Sequence, residues 1–426
     1  MVKIIIISYF FPPANYVGGE RTASWAKYLN EQGVFPIIIT RNWNDQQLDT
    51  LSPIKDNEYK VEKHPHCEIH RLPYHRTLRD KLSTRPKMRW LQKILTLKEL
   101  IFSNYFVSSI PYNNFYTKSA ELMTADLAIK GFILSGRPFQ SFAFGHKLKK
   151  KFPDRLFIPD YRDEWSTHQN LHIPGIILQL IAKLERKSEK KWTSNCDFFL
   201  STSDAWVENI STFIKKPGYR VMNGFDNDDL SPLAPTTSPH ILRITYAGTL
   251  YENQQISIFI DSCIALIAKG ETKLFIDFVG IDMNIDQKMK VLQLTKNYTA
   301  HFSIIDRVPR PKLEEITASS DVMILTGFSG VKGWYPVKLF HYYSIQKPIL
   351  LCPSDNDVME EFIHETKAGF VVSSKEDCIR LISALLAKKA TNQSIWTPES
   401  TALSTHYTRD YQASVLAKVI LKKATL

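Results

Sequence analysis

No stretch of this chain stays apolar for the roughly 18 residues that a membrane span requires. The first apolar run, Ile4 to Ile7, is short. Phe10-Phe11-Pro12-Pro13 follows it instead of the small residues of a cleavage site, so it reads as the first buried strand of a cytoplasmic protein and not as a signal peptide. Cysteine is sparse and scattered: Cys67, Cys196, Cys263, Cys352 and Cys378 form no CxxC and no Cys/His set at zinc spacing. They fit reduced thiols in a core. Short-period repeats and low-complexity tracts are also missing, which excludes solenoids and disordered arrays.

What is present is enough chain for two cores: 426 residues, 44% of them hydrophobic. The net charge is +11 and it is unevenly placed. Residues 1–230 hold 33 basic and 24 acidic side chains, the remainder 21 and 19. The densest part, residues 71–100, has nine basic and two acidic side chains. Such asymmetry points to an anionic partner, nucleic acid or a membrane surface. No nucleic-acid recognition motif and no Arg/aromatic interleaving accompany it, which favours the membrane.

Ile4–Ser8 and Ile37–Thr40 read as buried strands around a helix from about Glu20 to Gln32, ended by Gly33. Phe132–Ser135, Leu156–Pro159 and Phe198–Ser201 are further strands, and Phe139–Lys151 and Ile177–Trp192 are helices. The pattern restarts with strand Arg243–Ala247, helix Ile256–Lys269, strand Leu274–Val279, helix Pro311–Ser319, strand Val322–Leu325, helix Val337–Ser344, strand Pro348–Leu351 and helix Val358–Thr366. Alternation of this kind predicts parallel sheets covered by helices on both faces. The expected division is a first Rossmann-like domain at 1–222, a polar linker at 223–240, a second Rossmann-like domain at 241–395, and a segment 396–426 whose helix, about Tyr411 to Lys422, returns to the first domain.

Several loops between strand and helix carry chemistry. Gly18-Gly19 precedes a helix, where glycine lets backbone N–H groups approach an anion; an ordinary tight turn is the alternative. Ser135-Gly136-Arg137-Pro138-Phe139 sits at a strand's carboxyl end, where α/β folds bind ligands, and Arg137 is either a phosphate partner or a solvated loop arginine. Asp160-Tyr161-Arg162-Asp163-Glu164-Trp165 ends another strand with packed charge, read as a site or as an internal Arg–Asp pair. Asp226-Asn227-Asp228-Asp229 looks like a carboxylate cluster but lies in the linker, where a solvated turn is expected, so no metal site is assigned. Pro336 opens a helix, placing Lys338 in the first turn beside free N–H groups and His341 one turn on. Arg89 to Phe102 is basic and amphipathic, with Leu91, Ile94, Leu95, Ile101 and Phe102 on one face and Arg89, Gln92, Lys93, Thr96 and Glu99 mostly opposite; it reads as a membrane-surface helix or one packed on its own domain.

These motifs, in this order and over nearly the whole chain, resemble the group 1 (family 4) glycosyltransferases of the GT-B fold, in particular members from capsule and O-antigen synthesis. The resemblance is carried by Ser8-Tyr9-Phe10-Phe11-Pro12-Pro13 with Gly18-Gly19, by the Ser135 and Asp160 loops, by Asn223-Gly224-Phe225-Asp226, by Tyr246-Ala247-Gly248-Thr249-Leu250-Tyr251, and by Pro336 to Pro348 with Ala368-Gly369-Phe370. It departs at the E-x7-E motif, whose positions here are Gly333 and His341, and after Gly248-Thr249, where Glu252-Asn253-Gln254-Gln255 replaces the usual Lys or Arg.

The resemblance implies two Rossmann-like domains facing across a cleft and a retaining, metal-independent transfer of a sugar from a nucleotide-sugar donor. No cofactor is implied. The acceptor expected from such members is a glycan on a polyprenyl diphosphate, met at the inner face of the cytoplasmic membrane. Lys338, His341, Arg162 and Asp163 are the candidates for chemistry. Gly18, Gly19, Arg137, Gly248, Thr249, Tyr335 and Pro336, again with Lys338 and His341, are the candidates for binding, Gly18 and Gly19 toward a diphosphate or the acceptor. A degenerate sugar-nucleotide-binding protein without turnover, or a basic nucleic-acid-binding protein, is the alternative.

Overall fold

The computed structural model describes residues 1–14, 16–43, 57–83, 85–167, 175–226, 240–396 and 405–424. They form two compact units, Met1–Asn223 with Arg409–Leu426, and Gly224–Thr408.

Unit 1 runs β1 (Val2–Ser8), α1 (Glu20–Tyr28), β2 (Val34–Arg41), β3 (Lys60–Lys63), β4 (Glu68–Leu72), α2 (Leu78–Ser83), α3 (Arg89–Ser103), α4 (Asn114–Ala125), β5 (Ile129–Ser135), α5 (Phe142–Lys151), β6 (Leu156–Tyr161), α6 (Ile176–Thr193), β7 (Phe199–Ser201), α7 (Asp204–Ile214) and β8 (Gly218–Arg220). Its sheet, among the described residues, has the order β3-β4-β2-β1-β5-β6-β7-β8. All pairs are parallel except β3 on β4. Ile4–Ile7 lie at the centre and are fully buried, because a parallel strand covered on both faces needs an unbroken apolar run. Ile5 pairs with Ile37 on one side and with Phe132 on the other. The first helix ends sooner than its pattern suggests. α1 stops at Tyr28, a 3-10 turn follows over Asn30–Gln32, and Gly33 closes it at φ 84, a left-handed conformation that favours glycine.

Unit 2 runs β9 (Leu242–Ala247), α8 (Ser257–Ile267), β10 (Leu274–Val279), α9 (Ile285–Thr295), β11 (Phe302–Ile305), α10 (Arg310–Ala318), β12 (Val322–Leu325), α11 (Val337–Ser344), β13 (Ile349–Leu351), α12 (Val358–Thr366), β14 (Gly369–Val371) and α13 (Lys375–Ala390). Its strands, all parallel, lie in the order β11-β10-β9-β12-β13-β14. Written by sequence within the unit this is 3-2-1-4-5-6, the doubly wound arrangement whose ligand crevice opens where the order reverses, outside the carboxyl ends of β9 and β12. Unit 1 reverses in the same way between β1 and β5.

The last helix, α14 (Arg409–Ala424), belongs to unit 1. Ala413, Leu416, Ala417 and Ile420 enter that unit's core beside Trp25 and Leu29. Arg409 pairs with Glu20, and Gln412 accepts the Met222 N–H. Residues 227–239, and with them Asn227, Asp228 and Asp229, lie outside the described residues. All five cysteines are buried free thiols.

Candidate functional site

In unit 2 the carboxyl ends of β9 and β10 each turn on a glycine. Gly248 has φ 101 and Gly280 φ 78, both in the left-handed region. A side chain added at Gly280 would meet the Gly248 backbone at 3.7 Å, and one added at Gly248 would meet the Lys338 ammonium at 3.7 Å. The two glycines therefore leave a bare wall next to that ammonium. The Gly248 N–H is already spent on the Val279 carbonyl, so this residue supplies room and not a donor.

Lys338 reaches back from the first turn of α11. Its Nζ donates to the Tyr246 hydroxyl at 2.7 Å and to the Thr249 carbonyl at 3.1 Å, and lies 4.1 Å from the centre of the Tyr246 ring. All these partners are neutral, and among the described residues no carboxylate pairs with it. Burial accordingly pushes its pKa down to about 7. A desolvated cation without countercharge, at the mouth of a switch-point crevice and at a helix N-terminus, is the arrangement that an anion completes. Pro336 stands at the N-cap of α11, as its position in sequence implies.

Residues that pattern reading passed over hold this cradle in place. The Tyr342 hydroxyl donates to the Ala247 carbonyl at 3.1 Å and accepts the Ala247 N–H at 2.8 Å, strapping α11 to the end of β9. Gln254 is 2% exposed. It accepts from the Tyr251 N–H and donates to the Thr326 carbonyl, tying the β9 loop to the β12 loop. Trp334 stacks on Phe328 with ring centres 4.0 Å apart, and Tyr251 leans on both. Tyr335 packs toward Phe340. His341 lies one turn beyond Lys338, half-buried, its ring beside that of Tyr342. The Gly333 N–H is taken by the Asp357 carboxylate.

Unit 1 gathers the other candidates. Arg162 donates to the Gly18 carbonyl and its guanidinium stands 4.0 Å from Asp163. A side chain at Gly18 would overlap that guanidinium, and one at Gly19 would press on the Phe11 backbone at 3.0 Å. Gly18 and Gly19 are thus close-packing positions, and Arg162 is a positioning group for their loop. Arg137, 62% exposed at its side chain, lies 3.7 Å from Asp163. Behind the loop, Glu189 accepts the Ser166 N–H, and burial raises its carboxyl to about 7. Asp160, from the same motif, is fully buried and pairs with Arg21 of α1 at 3.0 Å.

Of the apolar face read on α3, Ile94, Ile101 and Phe102 are exposed, while Leu91 and Leu95 are half-buried. Trp90 is 61% exposed. From the other side Glu99 pairs with Arg79 of α2 at 2.8 Å, and Leu100 is buried where α3 packs against α2 and α6. Among the described residues no helix is long and apolar enough to cross a membrane, and no three His, Cys, Asp or Glu side chains gather as a metal site.

No protein-family profile matches the chain, and no curated protein matches it. Solved structures do. Sucrose-phosphate synthase from Thermosynechococcus elongatus is 12% identical, with 100% of this chain and 97% of that one covered at a TM-score of 0.61. An α,α-trehalose-phosphate synthase (UDP-forming) from Burkholderia vietnamiensis is also 12% identical, with both chains covered completely at 0.61. Anabaena Alr3699/HepE, solved with UDP and glucose, is 10% identical, with 99% and 100% covered at 0.59. At such identities the likeness establishes the fold, and the fold of this chain is GT-B.

Proposed function

We propose that the chain is a retaining, metal-independent glycosyltransferase that moves a sugar from a nucleotide-sugar donor, held by unit 2, to a lipid-linked glycan acceptor, held by unit 1, in surface-polysaccharide synthesis. The observation that carries this reading is the Lys338 ammonium, uncompensated beside Gly248 and Gly280 at the switch point. The fold neighbours support it, since one of them was solved with UDP and glucose. In the transfer, the bond between the anomeric carbon and the donor's phosphate oxygen breaks. A bond from an acceptor hydroxyl oxygen forms on the same face, and the hydroxyl proton passes to the departing diphosphate. No protein nucleophile is needed. Lys338 and the first-turn N–H groups of α11 stabilise the charge that develops on the diphosphate.

The missing E-x7-E acids favour a binding protein without turnover as the second reading. Against it stands Asp357, which brings a carboxylate to the Gly333 amide. A thermal-shift panel of sugar nucleotides, followed by turnover of the stabilising compound in EDTA, tests the proposal. A true donor raises the melting temperature by mass action, and its transfer persists in EDTA. Loss of transfer in EDTA with recovery on adding Mg²⁺ or Mn²⁺ would sink the metal-independent mechanism. Stabilisation without transfer to any lipid-linked acceptor would select the binding protein.

The acceptor's lipid is supported by the outward face of unit 1. Trp90, Ile94 and Phe102 of α3 and Ile176, Ile177 and Leu180 of α6 are exposed, and α3 and α6 pack together. Exposed Lys93, Lys98, Lys183 and Lys187 lie on the same two helices. Apolar side chains flanked by lysine suit an anionic bilayer surface, where each basic residue gains about 1 kcal/mol. Neutralising Arg85, Lys87, Arg89 and Lys93 together should release the protein from anionic liposomes while leaving the donor-induced thermal shift unchanged. Sedimentation of the quadruple variant equal to that of the parent would reduce the basic stretch to a solvated face.

A further inference from the structure

The large apolar side chains that unit 2 exposes are not scattered. Among its described residues they are Tyr251 and four from one stretch: Met283, Ile285, Met289 and Leu292, exposed by 54%, 63%, 58% and 39%. Met283 lies in the short turn ahead of α9, against the Arg307 guanidinium. The other three stand on α9 at spacings of four and three, which sets them in one row along the helix. Gln287, Val291 and Thr295 of the same helix are buried, so the apolar row points away from the unit. Single apolar side chains on a surface are ordinary, but a contiguous row marks a contact surface.

We infer that a second copy of this chain covers the row, α9 lying against α9 in the antiparallel sense. Width is the first argument. At about 100° per residue, the three side chains fall within roughly 60° of the helix circumference. A helix lying in a bilayer surface needs a broader apolar face, whereas a stripe this narrow is the seam that another helix fills. Charge is the second argument. Asp286 lies in the first turn of α9 and Lys296 at its carboxyl end, both exposed. A helix acidic at its start and basic at its end complements its own copy when that copy is reversed, and reversal also opposes the two helix dipoles. Interlocking the row with its reversed copy sets Met289 against Leu292 of the partner subunit and brings Asp286 beside the partner subunit's Lys296. Lys290 stands well off the row, and Lys288 is paired with Asp306 at 2.5 Å, so no unpaired lysine is forced against its like. The contact is two-fold and closes at two copies. Three side chains from each copy are far less than a permanent interface buries, so the dimer is weak, with a dissociation constant in the micromolar range.

Sedimentation velocity of the full chain across the micromolar range should show a monomer–dimer equilibrium. Met289→Lys, which sets an ammonium into the seam at a position already 58% exposed, should leave monomer alone. In a two-fold pair each charge reversal acts twice, so Asp286→Lys and Lys296→Glu should each raise the dissociation constant about tenfold. Joined in one chain, the two reversals restore opposite charges across the seam, and the dimer should return to near the parent's strength. All four variants should melt close to the parent, because the changed positions lie on the surface. The inference is overturned if the parent is monomeric throughout, if Met289→Lys dimerises as the parent does, or if the double reversal is weaker than either single one. A monomeric parent whose binding to anionic vesicles depends on Met289 would assign the row to a bilayer instead.

Discussion

Lys338→Met should lower turnover by about 10²–10³-fold, the usual consequence of removing one preorganised donor from a developing oxyanion. It should do so without unfolding the protein. In the ligand-free state the ammonium gains two hydrogen bonds to neutral groups and a contact with the Tyr246 ring, and it has lost its hydration for no countercharge. Methionine keeps the stem and discards the desolvated charge, so the ligand-free melting temperature should hold or rise. The thermal shift produced by a nucleoside diphosphate should nearly vanish. A variant with full turnover would remove Lys338 from the site, and one that melts much earlier would make it a structural residue.

The same side chain dictates a pH dependence. Its folded-state pKa is depressed from 10.5 to about 7, so at pH 8 most of the folded protein lacks this proton while the unfolded chain keeps it. Through this group, stability therefore rises with pH between about 7 and 10.5, because the unfolded state binds more protons there. Diphosphate binding runs the other way. The anion restores the charged form, a proton is taken up, and affinity should fall by up to about tenfold per pH unit above 7. Calorimetry in two buffers of different ionisation enthalpy reads the proton uptake directly. Uptake equal in the parent and in Lys338→Met would assign the titration to another group.

How much of this was legible before the fold was known depends on the range over which each residue acts. The central strands were readable because they are buried on both faces and must be continuous apolar runs: Ile4–Ser8 as read became Val2–Ser8, and Leu274–Val279 matched its strand to the residue. β3, Lys-Val-Glu-Lys on an exposed antiparallel edge, carries no such run and went unseen. α13 was missed although Ser374 accepts the Asp377 N–H at its start, a cap that sequence reading can find. The place of Lys338 in the first turn of α11 is legible from a local rule, since a proline opens the helix in front of it. Tyr246 and Tyr342 were not, because the bonds that make them important join positions 92 and 95 residues apart. Arg162 is readable as a charged residue at a strand's carboxyl end, but its bond to the Gly18 carbonyl, 144 residues away, is not.

The largest loss of stability should come from Asp160→Ala. Arg21 and Asp160 are 2% and 0% exposed at their side chains and meet through two guanidinium nitrogens, at 3.1 and 3.0 Å. The Ser135 hydroxyl donates to the same carboxylate at 3.0 Å, and the other arm of Arg21 donates to the Val221 carbonyl at 2.6 Å. One ion pair thus joins the first turn of α1, the carboxyl ends of β5 and β6, and the chain beyond β8. Removing the carboxylate leaves a guanidinium that water cannot reach, a defect that costs about 3–5 kcal/mol. In a unit of this size that lowers the melting temperature by on the order of 10 °C. Because α1 begins directly after Gly18-Gly19, protease nicking of that loop should rise together with the loss of stability. Asp160→Asn, which keeps an oxygen for Ser135 and Arg21 but not the charge, should fall between parent and alanine variant. The decisive comparison is Arg21→Met with Asp160→Leu. Replacing both charges by apolar side chains removes the orphaned cation, so the double variant should melt above Asp160→Ala alone. If Asp160→Ala costs less than about 1 kcal/mol, water reaches the pair and it does not anchor unit 1. If the double variant is the least stable of the set, the hydrogen bonds to Ser135 and Val221 outweigh the buried charge.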